Sequence, residues 1–251
     1  MMKKEALFIL ILAVLLAACV NAGTSQPTPA ATEVPTLTIE ERPLLAQESV
    51  EDVLLGYEDE PWIDFAGVQS QLTIGEDVYS YFMEEEPVEE GVGDQAPNLP
   101  YLIVMKNDQR VMSIPLGRGS TIHPIWAFVA SEGDWYIEVF RDPGVIDENG
   151  QELPGGGDIF RSGESLNTLY GYDESFGFHL VSGLPFYFYV RDGAFGYVYN
   201  GVETPLDYSD IRHYGCCSAG QANPRGSEDR VVIFTTRGDQ RFLVMIGDFE
   251  E

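Results

Sequence analysis

The chain contains 251 residues, and its 14 basic and 41 acidic residues give a formal net charge of −27. This balance argues against nucleic acid as a partner, because phosphate binding requires basic patches. It also argues against direct adhesion to anionic lipid headgroups. The length allows one sizeable hydrophobic core or two small β domains.

The N-terminal segment has the parts of an export signal. Lys3 and Lys4 precede an apolar run of thirteen residues, 6–18, which is too short to span a bilayer stably. The run ends in Leu-Ala-Ala-Cys, which resembles the lipobox of bacterial lipoproteins. The resemblance implies that residues 1–18 are removed and that Cys19 receives the diacylglycerol and becomes the mature N-terminus. Because acyl chains contribute about 0.8 kcal/mol per buried methylene, two or three of them hold a protein on a membrane.

A change of composition separates this segment from the folded part. Residues 20–38 are rich in Thr, Pro, Ala and Gly and cannot bury enough apolar surface to fold. We therefore predict that residues 19–43 are the lipidated cysteine with a disordered tether, and that residues 44–251 are the ectodomain. A capping pattern at Ser49 and Asp52 predicts one short helix early in the ectodomain.

The rest of the ectodomain alternates short β-branched or aromatic runs with Gly, Asn and Asp turns, which is typical of antiparallel hairpins. Between Trp135 and Phe140, apolar residues alternate with Tyr136 and Glu138, which predicts a strand with one wet face. We predict a mostly β fold of hairpins and meanders that forms a sandwich or barrel-like ectodomain. The glycines at 155–157 mark a candidate subdivision, and residues 164–170 a helical turn or two. The predicted strands are 71–74, 78–83, 101–105, 110–114, 125–130, 135–140, 145–146, 151–153, 186–190, 194–199, 202–206, 231–235 and 241–246.

The meander from 186 to 206 has the strongest turn signals, Asp192-Gly193 and Asn200-Gly201, because both turn residues adopt a positive φ at low cost. Together with the Pro and Tyr-Ser-Asp that follow, it resembles one unit of the WG-type β-repeat, with Phe195 where that family has Trp. The resemblance covers one copy and implies a β fold.

Alternation along this meander places Tyr187 and Tyr189 on the face opposite Phe186 and Phe188, and we expect that face to point outward. Neighbouring strands add further tyrosines, so the sequence predicts a platform that suits sugar stacking or a protein partner. The alternative is an ordinary two-layer core with tyrosines at its margins. The platform consists of Tyr187, Tyr189, Tyr197 and Tyr199.

Cys216 and Cys217 are the only cysteines besides Cys19. In an oxidising compartment they can form a vicinal disulfide, a strained bridge because consecutive Cα atoms lie about 3.8 Å apart. The alternatives are free buried thiols, a zinc site with His213, or a nucleophilic cysteine with His213 as its base. His179 lies in an apolar strand and is predicted to be structural.

Nucleotide-binding, metalloprotease and serine-hydrolase motifs are absent from the sequence. We therefore predict a lipid-anchored extracytoplasmic protein, at the cell membrane or outer surface, with a binding or envelope-structural role. It needs no cofactor, and its expected ligand is a glycan or an envelope protein. The alternative is an extracytoplasmic hydrolase whose carboxylates the sequence does not identify.

Overall fold

The computed structural model describes residues 36–48, 68–86, 99–116, 124–141, 143–146, 152–214 and 223–249. The predicted signal segment, the capping residues of the predicted early helix, His123 and all three cysteines lie outside these residues.

The described part of the chain contains four antiparallel sheets of four or five strands and one two-stranded hairpin. Sheet I contains β2 (Gln71–Ile74), β3 (Asp77–Glu86), β4 (Leu99–Lys106) and β5 (Gln109–Pro115). Sheet II contains β6 (Ile125–Ser131), β7 (Asp134–Arg141), β10 (Gly156–Arg161) and β11 (Glu164–Ser165), and a small hairpin of β8 (Val145–Ile146) and β9 (Glu152–Leu153) lies between β7 and β10 in the chain. After helix α1 (Leu166–Tyr170), sheet III contains β12 (Glu174–Val181), β13 (Leu184–Arg191), β14 (Ala194–Tyr199) and β15 (Val202–Pro205). Sheets I to III thus follow the chain as meanders, as the closely spaced turn signals predict.

Sheet IV is completed by a strand from the other end of the chain. Its C-terminal members are β16 (Asp210–Ile211), β17 (Arg225–Gly226), β18 (Arg230–Arg237) and β19 (Gln240–Gly247). β1 (Thr38–Pro43) pairs antiparallel with β19, from Thr38 opposite Gly247 to Pro43 opposite Phe242. The end of the predicted tether therefore belongs to the folded structure. The sequence did not predict this strand, because all six residues of β1 are exposed and show no apolar alternation.

Sheets I, II and III pack face to face, and sheet II is covered on both sides. One face of β7 places Trp135, Ile137 and Val139 in a core shared with sheet I. The opposite face places Tyr136 in a core shared with sheet III, and Glu138 lies on this same face with only 2 % of its surface exposed. The alternation along β7 was therefore predicted correctly. The prediction that one face of this strand is exposed to water is wrong, because sheet III covers that face.

The mostly β fold of antiparallel hairpins and meanders is confirmed. Among the described residues no sheet closes on itself as a barrel, and no helix there has the length and apolar character needed to cross a membrane. The short helix between Gly163 and Gly171 is also confirmed. Ser165 caps its N-terminus, and Gly171 ends it in the left-handed conformation with φ 69°.

Candidate functional site

The four tyrosines predicted to form a surface platform are buried. Tyr187 and Tyr189 are 5 % and 6 % exposed and pack against sheet II, while Tyr197 and Tyr199 lie on the opposite, also buried, face of sheet III. The prediction that Tyr187 and Tyr189 face outward is therefore wrong. Alternation identifies the two faces of a strand, but it does not reveal that another sheet covers the second face.

A cleft of about 220 Å³ lies where sheet II, helix α1 and the start of sheet III meet. Its polar lining includes Arg141 from β7, Asp158 from β10, Asn167 from α1 and Asp173 just before β12. Apolar walls come from Pro154, Phe160 and Tyr172. Neither Arg141 nor Asp158 was singled out from the sequence, because each is one of many charged residues.

Arg141 and Asp158 form a buried pair in this cleft. Arg141 Nη2 lies 3.7 Å from Asp158 Oδ2, and both side chains are 8 % exposed. The guanidinium is held by backbone oxygens, since Nε donates to the carbonyl of Pro115 and Nη1 to that of Pro154, both at 3.2 Å. Burial lowers the pKa of Arg141, and the charge of Asp158 partly offsets this.

Asp158 also organises the start of α1. Ser165 Oγ donates to Asp158 Oδ1 at 2.8 Å and accepts from the N–H of Thr168 at 3.1 Å. The backbone N–H of Asn167 donates to the same carboxylate. Burial raises the pKa of Asp158 to about 6, although the Ser165 hydrogen bond and Arg141 act in the opposite direction. At neutral pH the carboxyl group is therefore mostly ionised, and it becomes protonated as the pH falls below about 6.

Next to the cleft lies a second set of polar groups, which we call the polar network: buried Glu138 with the partly buried Glu174, His213 and Tyr214. Glu138 accepts hydrogen bonds from the N–H of Gly177 at 2.9 Å and from the Tyr214 hydroxyl at 2.5 Å. The N–H of Phe178 donates to its second oxygen at 2.7 Å. Burial raises the pKa of Glu138, and these three donors reduce the increase.

A β-bulge supplies two of these donors. Gly177 and Phe178 are left out of the regular pairing between β12 and β13, and Gly177 has φ 66°. Their N–H groups therefore turn toward Glu138 instead of the neighbouring strand. A Cβ atom at position 177 would lie 2.6 Å from Pro224, so the bulge requires glycine on both counts.

His213 completes the network from the segment after β16. Its Nε2 lies 3.0 Å from Glu174 Oε1, its Nδ1 lies 2.6 Å from the carbonyl of Ile211, and its ring stacks on Phe176. Burial lowers the pKa of His213, but the hydrogen bond and charge of Glu174, together with the Ile211 carbonyl and the charge of Glu138, outweigh burial, so the net shift is upward. The structure thus gives His213 a carboxylate partner that the sequence analysis did not identify.

Gly157 connects the cleft to the polar network. Its N–H donates to Glu174 Oε1 at 2.7 Å, and its carbonyl accepts from Asn167 Nδ2 at 2.8 Å. A Cβ atom at this position would clash with the Tyr214 hydroxyl and lie 2.5 Å from the carbonyl oxygen of Ser175. The glycines at 155–157 therefore serve close packing at the start of β10.

Within the part of the chain that the structure describes, no three His, Cys, Asp or Glu side chains are grouped so that they could hold a metal ion. His179 is buried in β12, and burial lowers its pKa to about 4, so it is neutral at neutral pH. No protein-family model, curated protein or solved structure matches the chain.

Proposed function

We propose that this protein is an extracytoplasmic lipoprotein, anchored through Cys19, whose β-rich part binds a small polar ligand in the cleft beside α1. The lipobox-like sequence after a short apolar run supports the anchor. The anchor would hold the cleft at the cell membrane or outer surface, and the strongly acidic composition would keep the protein soluble there.

The buried Arg141–Asp158 pair carries the binding proposal. Removing two charges from water costs several kcal/mol per ion, and replacing such a pair with apolar residues is often neutral or stabilising. This pair lines a concave space that also contains an amide and apolar walls. Ligand sites combine mostly apolar walls with a few convergent polar groups in this way.

The anchor can be tested by removing the thiol group to which the lipid is predicted to attach. In Cys19→Ala, the protein should leave the membrane fraction or remain unprocessed, because the alanine cannot accept the lipid. Ser25→Ala, in the predicted tether, is the control and should remain in the membrane fraction. A Cys19→Ala protein that stays in the detergent phase at unchanged mass would contradict the assignment.

The cleft can be tested by placing a large side chain in it at an exposed residue, where the substitution should not disturb folding. Thr168 lines the cleft, whereas the neighbouring Leu169 is 50 % exposed and does not. We expect glucose, glycine, glutamate or citrate to raise the melting temperature of the wild type and of Leu169→Trp, but not of Thr168→Trp. If none of these compounds shifts the wild type, or if both tryptophan variants respond equally, the cleft is not the binding site.

One observation favours a hydrolase as the second candidate. A carboxyl group with a pKa of about 6, such as Asp158, can act as a general acid near neutral pH, and Asp173 adds a second carboxyl to the cleft. Asp158 is nevertheless engaged by Ser165, Asn167 and Arg141, which supports a binding role first. Release of nitrophenol from aryl glycosides by the wild type but not by Asp158→Asn would establish the hydrolase.

A further inference from the structure

We infer that the cleft takes one uncharged, hydroxyl-rich ring, as in a single sugar unit, and this inference rests on the proposed binding function. Charge is the first argument. The charge of Arg141 is already balanced by Asp158, and Asp173, which is exposed, adds a second carboxyl, so the lining has no excess positive charge for an anion. Asp158 is in turn engaged by Arg141 and Ser165, which leaves no unpaired buried carboxylate for a cation.

Hydrogen-bonding capacity is the second argument. Among the described residues, Asn167 Oδ1 is buried without a hydrogen-bond partner. Its Nδ2 donates to the Gly157 carbonyl, which fixes the amide so that Oδ1 remains an acceptor. Arg141 Nη2 lies 3.7 Å from Asp158, beyond hydrogen-bond distance, so its N–H groups can serve a ligand. A hydroxyl group both donates and accepts, and a ring with several hydroxyls can therefore satisfy Asn167 and Arg141 together.

Shape and lining are the third argument. Pro154 and Phe160 present apolar surface in the cleft, which suits the C–H face of a sugar ring while its hydroxyls reach the polar groups. The volume of about 220 Å³ is below the roughly 300 to 1,000 Å³ of typical ligand pockets. The cleft therefore suits one ring better than a chain of several.

The test compares rings that differ in charge, by calorimetric titration of the full-length protein in detergent. The neutral probes are glucose, galactose, mannose and N-acetylglucosamine, and the charged probes are glucosamine, glucuronate and galacturonate. We expect at least one neutral sugar to bind ~10-fold or more tightly than its charged counterparts, because a charge entering the cleft loses hydration without gaining a partner. The methyl glycoside of the neutral sugar that binds is tested as well. Binding of the glycoside indicates that the natural ligand is the end of a glycan, and loss of binding indicates a free sugar.

Variants place the bound sugar in the cleft. Asn167→Ala should weaken binding ~10-fold, the usual consequence of losing a hydrogen bond at a buried site. Because that change also removes the bond to Gly157, Thr168→Trp provides an independent check at an exposed position, with Leu169→Trp as its matched control. Thr168→Trp should abolish binding while Leu169→Trp retains it.

The outcomes separate this inference from the proposed function. A charged probe that binds as well as or better than every neutral ring, and that Thr168→Trp excludes, would overturn the inference that the ring is uncharged and leave the binding function intact. A neutral sugar that binds equally well to both tryptophan variants would overturn the assignment to the cleft. If no sugar binds but glycine or citrate does, the ligand class is wrong, and if nothing binds, the proposed function fails as well.

Discussion

The polar network gives the sharpest test of how this fold is held together, because one side chain, Glu138, connects sheet II to two backbone N–H groups of β12 and to the Tyr214 hydroxyl. Replacing it with alanine leaves two backbone N–H groups and the Tyr214 hydroxyl, all at least partly buried, without their acceptor. Each unsatisfied donor costs about 1–3 kcal/mol. Removal of a buried carboxylate gives back part of this, since burial opposes its charge. We expect Glu138→Ala to lower the free energy of unfolding by about 3–5 kcal/mol, a large share of the roughly 5–15 kcal/mol of a typical domain.

Glu138→Gln refines the test because it keeps the volume. The amide retains one acceptor oxygen, but its NH₂ group faces donors, so we expect a loss of about 2–4 kcal/mol. Tyr214→Phe removes one donor and should cost about 1.5–3 kcal/mol, the worth of a hydrogen bond to a charged group. Because Glu138 and Tyr214 are hydrogen-bonded to each other, the loss of unfolding free energy in the double variant should differ from the sum of the two single losses by about 1 kcal/mol or more.

Urea unfolding at neutral pH measures these values, and tryptophan fluorescence can follow it because the Trp126 ring lies 5.0 Å from that of Tyr214. Glu164→Gln is the matched control, since Glu164 is exposed on β11 and its change should stay within about 0.5 kcal/mol. If Glu138→Gln and Glu164→Gln unfold at the same urea concentration, the network does not stabilise the fold.

Three further predictions concern other parts of the chain. The pKa of His179 falls from 6.5 in the unfolded chain to about 4 in the fold, so its stabilising effect is present above pH 6.5 and is lost as the pH falls toward 4. Relative to His179→Leu, the wild type should therefore lose about 3 kcal/mol between pH 7 and pH 4 in urea titrations, and parallel pH profiles would refute this. Gly157→Ala should destabilise more than Gly133→Ala, because a Cβ at 157 meets fixed atoms whereas at 133 only the positive φ opposes it; equal melting temperatures would contradict the close packing. Cys216 and Cys217, outside the described residues, are predicted to form a vicinal disulfide, so unreduced protein should resist thiol alkylation, and two labelled thiols would disprove the bridge.

The strand positions were predictable because their signals are local. Asp192-Gly193 and Asn200-Gly201 lie in the turns of sheet III, and the strand from Ala194 to Tyr199 has the bounds that the turns imply. A two-residue turn fixes which residues pair, and pairing then fixes which side chains share a face. No long-range information is needed for this step.

The site was not predictable in the same way, because its parts come from distant points of the chain. β7 supplies Glu138, β12 supplies Glu174, and the segment after β16 supplies His213 and Tyr214. One signal was nevertheless present. Glu138 is the only charged residue between Trp135 and Phe140, and a charge inside such a run is seldom buried unless it has a partner. The sequence could thus have indicated a partnered carboxylate, but not the identity of its partners.

The same reasoning explains why the cleft and the network belong together. β10 contributes Asp158 to the cleft, and the residue before it, Gly157, bonds to Glu174 on one side and to Asn167 on the other. A side chain at position 157 would clash with its neighbours, whereas glycine lets β10 pass between Glu174 and Asn167. Both the N–H and the carbonyl of Gly157 are then hydrogen-bonded. Rigid elements hold a binding group in place better than a loop does. Through Gly157, the network therefore helps to fix the strand that carries Asp158, although none of the four network residues lines the cleft.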